Sequence, residues 1–161
     1  MSMSVGLGLS VLAAAREACA GSGLEQVNRL ARETVLKVHS LIMADTLKYA
    51  VRGGRLNKTY SLLGTVLRVR ALLGMRDGDV YLAGLARTRA KALERMYEFS
   101  RGFAKVKEIA LGYTTEYDDA KTLSERLQMA FPDAPIYVAR VGPGVGTYGG
   151  PGGKGLGIRV M

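Results

Sequence analysis

The chain of 161 residues holds one cysteine, one histidine, three phenylalanines, four prolines and no tryptophan. The single Cys19 cannot form an internal disulfide, so nothing argues for an oxidising compartment. The only histidine, His39, has no Cys or second His at ligand spacing, which favours a structural role over a metal site. No Ser-His-Asp, Cys-His or paired-carboxylate arrangement is visible, so no enzyme is expected. Nucleic acid is usually read with aromatic platforms or a recognisable module, and the chain has few aromatics and neither a zinc-finger nor a ribonucleoprotein signature. No apolar run approaches the ~18 residues of a spanning helix. The run VGLGLSVLAAA superficially imitates a signal peptide, yet no Lys or Arg precedes it and Arg16-Glu17 interrupt it. A cytoplasmic location is the expectation.

Acid is also scarce: 14 Asp and Glu stand against 23 Lys and Arg, a formal charge of +9. Residues 48–107 hold fourteen of the basic residues and only four acids, Asp77, Asp79, Glu94 and Glu98, so the surplus belongs to that segment. A field so confined favours an anionic partner such as a carboxylate or phosphate ligand, an acidic protein face or a membrane surface. Glycine is confined in the same way, since nine of 21 lie in residues 142–161. Glycines there let the backbone turn at positive φ and approach a ligand closely. Gly144-x-Gly146-x-x-Gly149 imitates a dinucleotide loop, but further glycines and Pro151 follow where a helix should begin. Lys154 lacks the Ser/Thr a P-loop requires after it. Both phosphate motifs fail on context, and a glycine loop is the expectation.

The spacing of apolar residues predicts a helix over about Leu9–Ala20 and a second after Gly21-Ser22-Gly23, with Ser22 and Glu25 as a capping box and Leu24, Val27, Leu30, Ala31 and Val35 on one face. Residues 39–45 alternate like a strand, and a short helix follows up to Gly53-Gly54. A further short helix is expected over Thr59–Val66. Residues 67–75 and 80–86 read as strands joined by an Asp77-Gly78 hairpin. Then come a basic amphipathic helix from Thr88 to about Phe103, a strand over 106–113, a helix over 115–130, a strand over 136–141 and a last short strand from Gly157. The order β-β-α-β-α-β predicts an α/β (α+β) fold, one mixed sheet covered by helices and preceded by a helical hairpin.

Several blocks resemble the DegV family of bacterial fatty-acid-binding proteins, which includes the acyl-carrying subunit of fatty-acid kinase. They are Ser4-Val-Gly-Leu-Gly8, Asp45-Thr-Leu-Lys-Tyr49 with Gly53-Gly-Arg-Leu56, the Asp77-Gly78 hairpin leading to Arg87-Thr-Arg-Ala-Lys91, Gly112-Tyr-Thr-Thr115 and Gly149-Gly-Pro-Gly152. The resemblance covers essentially the whole chain and implies a C-terminal part of such a protein. Residues 1–44 would be a helical hairpin continuing an N-terminal α/β portion, and 45–161 the DegV-like C-terminal domain. It also implies a tunnel that buries an acyl chain and a polar cluster at its carboxylate, with Ser4 and Arg87 in that cluster. The family's His-Thr-Gly-Pro-Gly loop would be Tyr148, Gly149, Gly150, Pro151 and Gly152. A phenol at position 148 donates one hydrogen bond but does not become cationic near neutral pH as imidazole does.

On that resemblance the ligand is a long-chain fatty acid, no other cofactor is required, and the partner is the kinase subunit that would phosphorylate the presented carboxylate. About fifteen buried methylenes at ~0.8 kcal/mol each offer on the order of 12 kcal/mol gross, so the tail supplies affinity and the head group orientation. The basic segment 48–107 would be the docking face for the kinase or an anionic membrane. The alternative is a lipid-incompetent basic interaction or nucleic-acid-binding module.

Overall fold

A computed structural model describes residues 3–56, 69–76 and 78–161. The helix expected over Thr59–Val66, and Asp77 of the expected hairpin, lie outside these residues. Two antiparallel helices, α1 (Ser4–Cys19) and α2 (Leu24–Leu36), lead into strand β1 (Val38–Ala44) and the short helix α3 (Lys48–Arg52). Strands β2 (Arg70–Arg76) and β3 (Asp79–Ala86) form a hairpin, with Gly78 at φ +99° supplying the left-handed conformation of its turn. Helix α4 (Arg89–Arg101), strand β4 (Val106–Tyr113), helix α5 (Tyr117–Ala130), strand β5 (Ile136–Arg140), helix α6 (Pro143–Gly149) and strand β6 (Lys154–Val160) complete the described elements.

The six strands form one sheet in the order β3-β2-β1-β6-β4-β5. Only β4 and β5, joined through α5, run parallel, and every other neighbouring pair is antiparallel. Strand β1 lies between β2 and β6, so one sheet runs through both of the segments that the sequence divides at residue 44. Leu156 and Ile158 of β6 point to the side of α4 and α5 and are buried with Met96, Ile109, Leu111, Leu123 and Leu127. The alternate residues Gly155 and Gly157 face α1. A Cβ at Gly157 would stand 3.1 Å from Gly6 Cα, and one at Gly112 would stand 3.0 Å from Val5 Cγ1. Part of the glycine surplus is therefore spent on laying the start of α1 directly on the sheet.

Several local expectations are corrected. Helix α1 begins at Ser4 rather than Leu9, because its first turns rest on this glycine floor. Ser22 does not cap α2: its hydroxyl donates to Glu17 Oε1, and Gly23 stands at the N-cap without a side-chain bond. The expected apolar face of α2 is half-buried rather than core: Val27, Leu30, Ala31 and Val35 are partly covered, Leu24 at its start is 86% exposed, and Thr34 is the one buried residue of the helix. The glycine-rich segment is not wholly a loop. Pro143 occupies the first turn of α6, where its fixed φ suits a helix, and Thr147 Oγ1 bonds back to Pro143 O.

Candidate functional site

The start of α1, the ends of β4 and β5, and α6 converge on a cleft of about 520 Å³. Val5, Gly8, Leu9 and Leu12 recur along one face of α1 at helical spacing and form one wall. Ala110, Leu111, Tyr137 and Ala139 from β4 and β5 form the floor and far end, and Ser4, Gly142, Gly144 and Val145 close the other end. The volume falls within the roughly 300–1,000 Å³ usual for small-molecule sites, and the walls are nearly all hydrocarbon. Ser4 adopts φ +52°, a left-handed conformation that is uncommon outside glycine. Beyond it lie a gap of about 30 Å³, lined by Ser4, Ile42, Gly149 and Gly155, and an apolar pocket of about 50 Å³, lined by Met3, Ala50, Arg55, Leu73 and Tyr148. Val145 of α6 lines all three spaces, so α6 borders each of them.

The turn after α6 is built against two aromatic rings. Tyr148 lies over Gly53, where any Cβ would stand 2.2 Å from its Cδ1, and under the Arg55 guanidinium at 4.1 Å. The phenol thus has a permanent positive charge beside it, supplied from the Gly53-Gly54-Arg55 turn. Gly150, at φ +70°, accepts the ring of Tyr49 in the same way. Thr114 Oγ1 donates to Gly150 O at 2.9 Å, and the Gly152 amide donates to Thr115 Oγ1 at 2.9 Å.

Behind this turn six charged side chains meet. Arg89 pairs with Asp45 at 3.2 Å and with Glu116 and Asp119, and Arg70 reaches the other oxygen of Asp45 at 3.3 Å. Lys154 Nζ, with its side chain 1% exposed, lies 3.6 Å from Asp119 and donates to Gly152 O at 3.3 Å. Burial holds the Lys154 ammonium below the ordinary lysine range, and Arg89 adds to that, against the attraction of Asp119 and Asp45. A Cβ at Gly152 (φ +75°) would stand 2.2 Å from Asp45 Oδ2, so the network and the glycine turn are fitted to each other.

Of the residues singled out in the sequence, Ser4 lines the cleft, Tyr148 and Gly149 line the small spaces beyond it, Gly150 lines a separate cleft of about 620 Å³ with Tyr49, Thr114 and Arg140, and Gly152 anchors the turn from behind. Arg87 is not brought to them. It is exposed, and Arg89, two residues on, takes the inward place in the first turn of α4 after the N-cap Thr88. Asp45, Arg89, Thr114 and Thr115 stand in the family blocks of the sequence without a site role, Lys154 enters there only as a P-loop lysine that fails, and Tyr137 carries no sequence signal. Thr88 was the available signal for Arg89, since an N-cap fixes which residue opens the helix. No group of three or more His, Cys, Asp or Glu able to hold a metal occurs among the described residues, and His39 stacks on Phe103 at 4.7 Å between ring centroids. No described helix is long and apolar enough to cross a membrane.

The fold and this site define a family. Residues 1–160 match the sequence profile described as "Uncharacterised protein, DegV family", and the chain belongs to that family. It is 33% identical over 158 residues to a DegV domain-containing protein of Clostridium acetobutylicum, covering 93% of this chain and 53% of that relative. Its structure is similar to that of DegV, a fatty acid binding protein from Bacillus subtilis, with a TM-score of 0.78 and 27% identity, over 96% of this chain and 54% of the other. The same fold occurs in the Streptococcus pneumoniae Fatty Acid Kinase (Fak) B3 protein loaded with linoleic acid, with a TM-score of 0.86 at 23% identity, over 97% and 56% of the two chains. The chain therefore spans about half the length of the relatives it matches.

Proposed function

We propose that this chain forms part of a fatty-acid carrier, holding an acyl chain in the cleft between α1 and β5 with its carboxylate toward Ser4 and the α6 turn. The observation that carries this reading is the cleft itself: about 520 Å³ with hydrocarbon walls, polar groups at its ends, and a glycine-built turn beside one of them. Such a site binds through its tail and orients through its head. Ser4 and Tyr148 supply hydroxyl donors, Gly149, Gly150 and Gly152 allow close backbone approach, and Arg55 offsets the carboxylate charge. The fatty acid bound by the Bacillus subtilis and Streptococcus pneumoniae relatives supports the same ligand class here. The chain would act in the cytoplasm as a carrier without catalysis of its own. It would present the carboxyl to a kinase, with the exposed Arg87 and its neighbours on the docking side.

The test is thermal denaturation of the delipidated chain with and without palmitate or oleate. At a free ligand concentration a hundred times Kd, binding to the native state alone raises Tm by on the order of 5–10 °C for a chain of this size. A Tm unmoved by both acids sinks the reading for this chain.

A further inference from the structure

The far end of the acyl cleft is unlike its walls. Helix α1 and strand β5 run in opposite directions along it, so that Ser4 sits near Val141 and Gly142 while Arg16, about 18 Å further along the helix axis, bonds Tyr137 at the start of β5. Tyr137 is half-buried, and its ring lies 5.9 Å beneath the Arg16 guanidinium. Arg16 Nη2 donates to the Tyr137 hydroxyl at 2.6 Å, and Arg16 Nη1 donates to Glu108 Oε2 at 2.9 Å. The buried Glu108 also accepts from Arg159 at 2.5 Å. Moving Tyr137 aside would break its bond from Arg16, whose guanidinium is itself held in place by the buried Glu108. Between the two ends the lining is Gly8, Leu9, Leu12, Ala110, Leu111 and Ala139, which offers methylenes contact but no polar anchor.

We propose that Tyr137, clamped by Arg16, is the end wall of the cleft and sets the longest acyl chain that it accommodates; this rests on the fatty-acid reading above. Each methylene that finds hydrocarbon contact contributes about fourfold in affinity, and one that meets the wall contributes nothing or costs affinity. Affinity for a series of saturated fatty acids therefore climbs and then stops climbing at a length fixed by Tyr137.

The experiment measures Kd of the delipidated chain for even-numbered saturated acids from decanoic to stearic, in the native sequence and in four variants. Tyr137→Ala moves the plateau to chains at least two carbons longer, and Arg16→Met moves it the same way. Tyr137→Phe, which keeps the ring, leaves the plateau nearer the native one than Tyr137→Ala does. Leu12→Phe, which fills the same end from the helix, moves it to shorter chains. Binding that persists with an unshifted plateau in both Tyr137→Ala and Leu12→Phe overturns the wall and leaves the carrier reading standing. If no acid binds the native chain, the carrier reading falls and the wall with it.

Discussion

At the residue scale the glycines divide into two kinds with opposite responses to a side chain. At Gly157 a Cβ would press on the Gly6 backbone at 3.1 Å, so substitution there lifts α1 from the sheet. At Gly8, which lines the cleft, a Cβ meets nothing within 4 Å. Glycine in a helix interior also costs about 1 kcal/mol relative to alanine or leucine. Gly8→Leu is therefore expected to raise the Tm of the ligand-free chain by a few degrees. At the same time it fills the space an acyl chain would take and diminishes the Tm gain from palmitate. Differential scanning fluorimetry reads both, and an undiminished ligand shift would place the acyl chain elsewhere. Tyr148 was legible as a departure from the family loop. Its partner Arg55 was legible as part of a helix stop or of the basic face but not as a neighbour of Tyr148, because the 4.1 Å stack joins residues far apart in the chain.

At the element scale the six-membered charge network joins β1, β2, α4, α5 and β6 to the turn after α6. Lys154 gives it a pH signature. Its ammonium is held below the ordinary lysine range chiefly by burial, so the unfolded chain binds the proton more readily than the native one. The resulting cost to stability is fully present below the native-state pKa and is relieved as pH rises from there toward 10.5, the unfolded value. Relative to Lys154→Met, the native sequence should gain thermal stability across that alkaline interval. A Tm difference that stays flat between pH 7 and pH 10.5 would show that Lys154 carries no such cost. None of this network was visible in the sequence, where Arg89 counted as basic surplus and Lys154 only as a P-loop lysine that fails. Element identities fared better. The β2–β3 hairpin, α4, β4, α5 and β5 fall close to their expected bounds, since turn residues and apolar periodicity are local signals.

At the scale of the whole molecule the +9 charge is partly consumed inside. Arg70 and Arg89 of the basic segment are paired with Asp45, Glu116 and Asp119, whereas Lys48, Arg52, Arg55, Arg87, Lys91 and Arg95 are exposed. An exposed cationic set of this size attracts an anionic surface through a field that salt screens over about 10 Å at 0.1 M. Sedimentation with phosphatidylglycerol-containing vesicles should retain the chain at 50 mM salt and release most of it at 300 mM, with pure phosphatidylcholine retaining little at either. Salt-independent retention would contradict an electrostatic docking face, and stronger retention by single-stranded DNA than by the vesicles would favour the nucleic-acid alternative.

The sequence by itself determined the elements, the hairpin turn, the confinement of charge and glycine, and the family, because capping, turn formation and periodicity act over a few residues and family blocks keep their order. The tertiary structure alone decided that Arg89 and not Arg87 turns inward, that β1 pairs with β6, and that α1 lies close enough to the sheet to wall a cleft lined by Tyr137. Those outcomes depend on contacts across 44 residues between Asp45 and Arg89 and 121 between Arg16 and Tyr137. At such separations neither periodicity nor turn chemistry carries information, and packing and charge pairing settle the result.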